Sequence, residues 1–126
     1  MSPERQRIAI AGAIGAVRGS ALGYTHGQAN ELYLSDPDGG YHDLADWSKK
    51  YRWLRLYDPL NDFNAMFEAF KHLGRHWQIA QVHDGYYCSI QFGKGGKDIV
   101  VAGLELLPVM SEAFLRALNI WEESNA

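Results

Sequence analysis

The sequence contains a single cysteine, Cys88, among 126 residues, and it has no long apolar run. One cysteine cannot form an intramolecular disulfide, and it excludes a zinc site built from several cysteines. No stretch reaches the ~18 apolar residues that a membrane-spanning helix needs. The run from Ile8 to Val17 follows Arg5 and Arg7 as in a signal peptide, but Glu4 and two glycines favour a helix of the mature protein. We therefore expect a cytoplasmic protein without a membrane segment.

The sequence also lacks a strong charge of either sign. Its formal net charge is −3, and 47% of its residues are hydrophobic, which is ordinary for a globular protein. This balance gives no general attraction to anionic lipid and argues against extensive binding of duplex DNA. The length favours one domain over residues 1–126. We divide it into an N-terminal helix at 1–18, a loop and basic-aromatic segment at 19–57, and an α-β-β-β-α unit at 58–122.

Capping residues and apolar spacing predict three helices. Ser2, followed by Pro3 and Glu4, favours the start of the first, which should end near residues 18–19. Asp58 and Pro59 favour the start of the second, and Gly74 its end. The third should run from about Pro108 to Glu122. The apolar positions that define the second and third helices are Leu60, Phe63, Phe67, Phe70 and Leu73, and Met110, Phe114, Leu118 and Trp121.

Three strands are expected between these helices, at His76–Val82, Tyr86–Phe92 and Asp98–Leu104. Asp84-Gly85 is a hairpin signal because both residues tolerate a positive φ, and Gly93–Gly96 forms the second turn. Two apolar helix faces must be buried against a sheet, so the fold class is α+β: a three-stranded antiparallel meander packed by helices, with an additional N-terminal helix and a long irregular loop. The predicted core is Phe63, Phe67, Phe70, Trp77, Ile79, Ile90, Phe92, Val100, Met110, Phe114 and Leu118.

The irregular loop contains one short strand candidate, Glu31–Leu34, and then a segment that is rich in cations and aromatic rings. Its period fits a strand or a helix, and the aromatic content favours extended structure. Cations interleaved with flat rings suit a nucleotide or a single strand. Alternatively, the rings pack and the cations are solvated. The candidate binding residues are Trp47, Lys49, Lys50, Tyr51, Arg52, Trp53, Arg55 and Tyr57.

No other residues form a recognisable catalytic or metal-binding motif. His72 and His76 are separated by the helix end at Gly74, and no His-Glu-x-x-His motif occurs. Cys88 has no local signature of a nucleophile, so we expect a packed, inert thiol. The Gly93–Lys97 run precedes Asp98 and a strand, unlike a phosphate-binding Walker loop. We predict no catalytic residue, no metal and no cofactor.

Three segments resemble a known family. They are the run Leu60–Ala69 (LNDFNAMFEA), the start Arg7–Ala11 (RIAIA) and the turn Asp36–Gly39 (DPDG). They are similar to small phage and prophage proteins with the phage ABA-sandwich domain, in which an Asn-Asp-x-Asn-Ala-Met helix precedes a β meander and a closing amphipathic helix. The same order runs here from Asp58 to about Trp121. The resemblance implies an accessory protein of a mobile element, without a catalytic motif.

These observations favour a phage- or prophage-derived, non-catalytic binding protein in the bacterial cytoplasm. It would inhibit or sequester a host component, with a host protein or a small nucleotide signal as its partner. The first helix either joins one side of the sheet or mediates self-association into a homo-oligomer. The alternatives are a small enzyme acting on a nucleotide or nucleic acid, and an accessory protein that binds nucleic acid.

Overall fold

A computed structural model describes residues 1–35, 54–93 and 96–123, and the chain divides into two compact units. Unit 1 comprises Met1–Ile10 and Asp58–Ala126, and unit 2 comprises Ala11–Tyr57. The described helices are α1 (Pro3–Ile14), α2 (Phe63–Lys71) and α3 (Leu106–Ala117), and the described strands are β1 (Val17–Arg18), β2 (Leu32–Ser35), β3 (Leu54–Leu56), β4 (Trp77–Val82), β5 (Gly85–Ile90) and β6 (Ile99–Gly103).

Unit 2 contains a small antiparallel sheet in the order β1-β2-β3. The predicted strand at 31–34 is confirmed as β2, which pairs with both neighbours. Two 3-10 helices, Gly19–Leu22 and His26–Asn30, lie between β1 and β2. Gly19 is buried where a Cβ would overlap the backbone carbonyl of Gln28, so only glycine fits that close approach.

Unit 1 contains the predicted antiparallel meander, in the order β4-β5-β6. The first hairpin turn is His83-Asp84, because Val82 pairs with Gly85. The prediction of an Asp84-Gly85 turn was thus wrong by one residue, and neither turn residue has a positive φ. Gly85 is required for a different reason: a Cβ there would overlap the carbonyl oxygen of Gly103 on β6.

Helix α2 begins later than the sequence suggested. Asp62 is its N-cap, and the Asp62 carboxylate accepts a hydrogen bond from the Asn64 N–H at 3.0 Å. Asp58 instead belongs to a preceding turn, where its carboxylate accepts from the Asn61 amide at 3.0 Å. The predicted start at Asp58 was therefore wrong, because these two polar side chains bond to each other. The predicted end is confirmed, since Gly74 has φ +62°.

Helix α1 begins as expected, because the Ser2 hydroxyl accepts a hydrogen bond from the Arg5 N–H at 3.2 Å. It ends at Ile14 rather than near residue 18, and Gly15 follows in the left-handed region with φ +85°. Glycine adopts that conformation readily, so the chain leaves the helix there and enters β1.

Helix α3 is displaced towards the N-terminus relative to its predicted range of 108–122. It begins at Leu106 and ends at Ala117. Asn119 then adopts a left-handed conformation with φ 61°, and the Ile120 N–H donates to the Leu115 carbonyl at 2.9 Å. Asparagine tolerates this conformation better than most residues, which explains why the apolar spacing overestimated the helix.

The core of unit 1 is built around Phe70, whose ring centroid lies 4.9 Å from that of Trp77 and 5.7 Å from that of Phe114. Phe70, Ile90, Met110 and Phe114 are buried as predicted, and Phe67, Trp77, Ile79 and Phe92 are partly buried. The core prediction was wrong for Phe63, Val100 and Leu118, which are exposed. Phe63 is the first residue of α2, Leu118 follows the end of α3, and Val100 lies on the sheet face opposite that of the buried Val101.

Candidate functional site

The basic-aromatic segment lies almost entirely outside the described residues. Arg55 is placed only as a backbone position in β3, opposite Leu34. Tyr57 is 1% exposed, and its N–H donates to the Leu32 carbonyl at 2.8 Å. Its ring therefore offers no face to a ligand, and for this residue the burial favours the packing alternative. The predicted site residues that lie outside the described ranges are Trp47, Lys49, Lys50, Tyr51, Arg52 and Trp53.

The two faces of the unit 1 sheet differ in burial. Cys88 and Val101, which are cross-strand partners, belong to the face against which α3 packs, and both are buried. Strand alternation places every second residue on the opposite face. We call that opposite set the outer face: Gln78, Ala80, Val82, Tyr87, Ser89, Val100, Ala102 and the following Leu104.

The outer face exposes large apolar side chains. Val82 is 44% exposed, Val100 is 64% exposed and Leu104 is 80% exposed. None of the outer-face residues carries a charge. On this face the Gln78 amide donates to the Tyr87 hydroxyl at 3.1 Å, from β4 to the neighbouring β5.

A depression of about 300 Å³ lies at one end of the outer face. Val82 pairs with Gly85, and Leu104 follows Gly103, the partner of Tyr86. Gly85 lies between Val82 and Leu104 in the sheet, and the backbone of Gly103 and Leu104 packs closely against it. Asp84 lies at the edge of this depression. We call it the outer-face depression, and its lining is mainly apolar.

A groove of about 400 Å³ runs along β6 and the start of α3, and its lining includes Glu105 and Glu112. Glu112 is already paired with Arg116 at 2.8 Å. A further depression of about 360 Å³ contains Arg5 and Glu122, which form an ion pair at 2.6 Å. Glu112 and Glu122 are thus each paired with an arginine. This differs from the facing pair of carboxyl groups that acid-base catalysis uses.

The His, Cys, Asp and Glu side chains of the described residues do not cluster into a metal site. No three of the described His, Cys, Asp and Glu side chains lie close enough to hold a metal ion together. Cys88 is fully buried, as predicted, and burial raises the pKa of its thiol to about 12. The thiol is therefore protonated at neutral pH, whereas a nucleophilic cysteine needs its thiolate form.

Sequence reasoning missed the outer face. It placed Val100 in the core and assigned no role to Val82 or Leu104. Successive side chains of a strand point to opposite faces, so Val100 cannot share a face with Ile99 and Val101. This rule could have separated Val100 from the core, because only one face of the strand can point towards α3. What the sequence could not supply was which face of the sheet the helices cover.

Comparison of the chain with family models, with curated proteins and with solved structures finds no match. The resemblance to the phage ABA-sandwich domain therefore remains a prediction from the sequence. In the described ranges, none of the helices combines the length and the apolar character that crossing a membrane requires.

Proposed function

We propose that the protein is a non-catalytic binding protein that docks its outer face on a host protein and thereby inhibits or sequesters it. The observation that carries this proposal is the outer-face depression between Val82 and Leu104, on a sheet face that has no charged residue and lies opposite α3. Protein interfaces concentrate their binding energy in apolar anchors that fill such pockets. A phage or prophage origin is part of the proposal, supported by the sequence resemblance and by the order α2, meander, α3.

The chemistry of the outer face favours a protein over a nucleotide as the partner. Phosphate groups are recognised by cations and by clustered N–H donors. The outer face has neither Lys nor Arg, and the charge nearest to its depression is the carboxylate of Asp84. An apolar anchor, with a cation on the partner near Asp84, fits this surface.

The test compares lysine substitutions on the outer face with matched substitutions elsewhere. Val82→Lys is matched by Val17→Lys, because Val17 is 37% exposed, and Leu104→Lys is matched by Leu56→Lys, because Leu56 is 55% exposed. Tagged proteins capture partners from bacterial host lysate, and quantitative mass spectrometry measures them. We expect the wild type and both controls to enrich the same host protein. Val82→Lys and Leu104→Lys should lower its recovery by about tenfold or more, which corresponds to ~1.4 kcal/mol.

Circular dichroism provides the folding control, since substitutions at such exposed positions change stability by about 0.5 kcal/mol or less. Equal recovery by all four variants would contradict the proposal, and so would a wild type that enriches no host protein above the untagged background.

The basic-aromatic segment supports a second candidate, a small nucleotide signal as the ligand. Lys49, Lys50, Arg52 and Arg55 place four cations within seven residues of a chain whose net charge is negative. Under this hypothesis the two arginines contact the ligand rather than the core, so replacing Arg52 and Arg55 by Ala should leave the melting curve nearly unchanged. The same change should weaken nucleotide binding by at least ~1 kcal/mol in calorimetry. Intact binding with lowered stability would show that the segment is structural.

A further inference from the structure

Strand β6 lies at an edge of the unit 1 sheet. It pairs with β5 on one side, and the part of the chain that the structure describes supplies no strand to its other side. An edge strand presents unpaired N–H and C=O groups, which natural proteins usually protect with a Lys, a Pro or a bulge. Ile99–Gly103 has none of these, and its pairing with β5 is continuous. The groove along β6 shows that α3 leaves this edge accessible.

The charges that flank β6 are arranged symmetrically about Val101. Lys97 precedes Val101 by four residues and Glu105 follows it by four. Both side chains are exposed, and neither forms an ion pair with another described residue. Asp98, the neighbouring acid, is turned towards its own chain, where its carboxylate accepts from the Phe92 N–H at 3.4 Å.

This symmetry makes β6 complementary to a second copy of itself. In an antiparallel pair with Val101 opposite Val101, Lys97 at the end of one strand meets Glu105 at the end of the other. A pair of opposite charges then lies beyond each end of the uncharged strand Ile99–Gly103. A shift of the pairing by one residue would exchange the two faces of the strand. A shift by two would keep the faces but set Lys97 opposite the uncharged Gly103.

We infer that the protein forms a twofold dimer by antiparallel pairing of its β6 edges, with Val101 at the axis and Lys97 facing Glu105 across the interface. Main-chain hydrogen bonds would join the two meanders into one six-stranded sheet. Both copies would then present their outer faces on the same side of that sheet. The inference does not rest on the proposed host contact, because it uses the main chain of β6 and its two flanking charges, whereas the host contact uses apolar side chains of the outer face.

Charge reversal tests the pairing directly, with the oligomeric state measured by sedimentation over a wide range of concentration. The wild type should be a dimer at high concentration. Lys97→Glu alone and Glu105→Lys alone each set two like charges against each other, and each should weaken dimerisation by about tenfold or more. The double variant restores both ion pairs with the signs exchanged, so it should dimerise like the wild type. A mixture of the two single variants should form the heterodimer.

Matched charge reversals in unit 2, Arg18→Glu and Glu31→Lys, should leave dimerisation unchanged, because both residues are exposed and lie outside β6. Circular dichroism checks that every variant is folded. A wild type that stays monomeric at all concentrations overturns the inference. A dimer that is insensitive to both single reversals, or that the double variant does not restore, overturns it as well.

Cross-linking gives an independent measure of the register. With Val101 at the axis, Val100 of one copy lies opposite Ala102 of the other, at the short Cα separation that a disulfide needs. A mixture of Val100→Cys and Ala102→Cys proteins should therefore form a disulfide-linked dimer under mild oxidation faster than either variant alone. Cross-linking that is no faster in the mixture would refute this register.

Discussion

Removing the Phe70 ring should cause a large loss of stability. The ring is fully buried and contacts those of Trp77 and Phe114 at centroid distances of 4.9 and 5.7 Å. Phe70→Ala leaves a cavity between them, and buried Phe→Ala changes cost ~3–5 kcal/mol. Phe63→Ala is the matched control, because Phe63 lies in the same helix but is 40% exposed. Its partial burial predicts a loss of about 1 kcal/mol.

Urea unfolding followed by circular dichroism measures both losses. With a denaturant slope of ~2 kcal/mol per molar, Phe70→Ala should lower the midpoint by ~1.5–2.5 M and Phe63→Ala by ~0.5 M. Phe70→Leu keeps most of the buried volume and should fall between them. If Phe70→Ala were no more destabilising than Phe63→Ala, the packing of α2 on the meander would be refuted.

Three further predictions follow from local geometry. Cys88 should react with a thiol reagent at pH 8 only after unfolding, because its pKa of about 12 and its burial suppress the thiolate; fast native labelling would contradict this. Gly85→Ala should destabilise the protein, because the added Cβ meets the carbonyl of Gly103. Gly12→Ala in α1 adds a Cβ that meets nothing and should stabilise the protein by up to ~1 kcal/mol, so the two melting temperatures must move in opposite directions. Asp62→Ala removes the N-cap of α2 and should cost ~0.5–2 kcal/mol in urea unfolding, while an unchanged midpoint would show that this cap contributes nothing.

Apolar spacing was sufficient to predict α2 but not its buried face. Phe63, Phe67 and Phe70 share one side by their spacing, yet the buried positions of the helix are Ala65, Met66, Ala69 and Phe70. The small alanines allow the helix to pack closely, so the buried stripe is rotated away from the aromatic one. A count of hydrophobic residues gives equal weight to each position, whereas close packing also depends on side-chain size.

The helix ends were harder to predict because several residues compete for each role. Asp58 and Asp62 are both capable N-caps, and the choice depends on Asn61, which bonds to Asp58. At the other end of the unit, Trp121 has helical spacing, but Asn119 ends α3 before it. Capping preferences offer these alternatives, and particular local hydrogen bonds and backbone conformations select among them.

The candidate site was less predictable than the fold. Period two identifies Val100 as belonging to one face of a strand, but it does not tell which face a helix covers. The role of Gly85 is equally long-range, because it depends on the backbone of Gly103, eighteen positions along the chain. Sequence patterns describe neighbours a few residues apart, whereas the outer-face depression requires the register of three strands.

Unit 1 is built from two stretches that are not contiguous in the chain, and this matters when the chain is cleaved. Its first ten residues are separated from its remainder by the 11–57 stretch, so a single cut in that stretch leaves unit 1 on two polypeptides. Those pieces would stay together only through noncovalent contacts, such as the 2.6 Å hydrogen bond from the buried Ser111 hydroxyl to the Gln6 side chain. The same connectivity means that, during synthesis, unit 1 cannot close until α3 has left the ribosome, whereas the continuous unit 2 emerges whole much earlier.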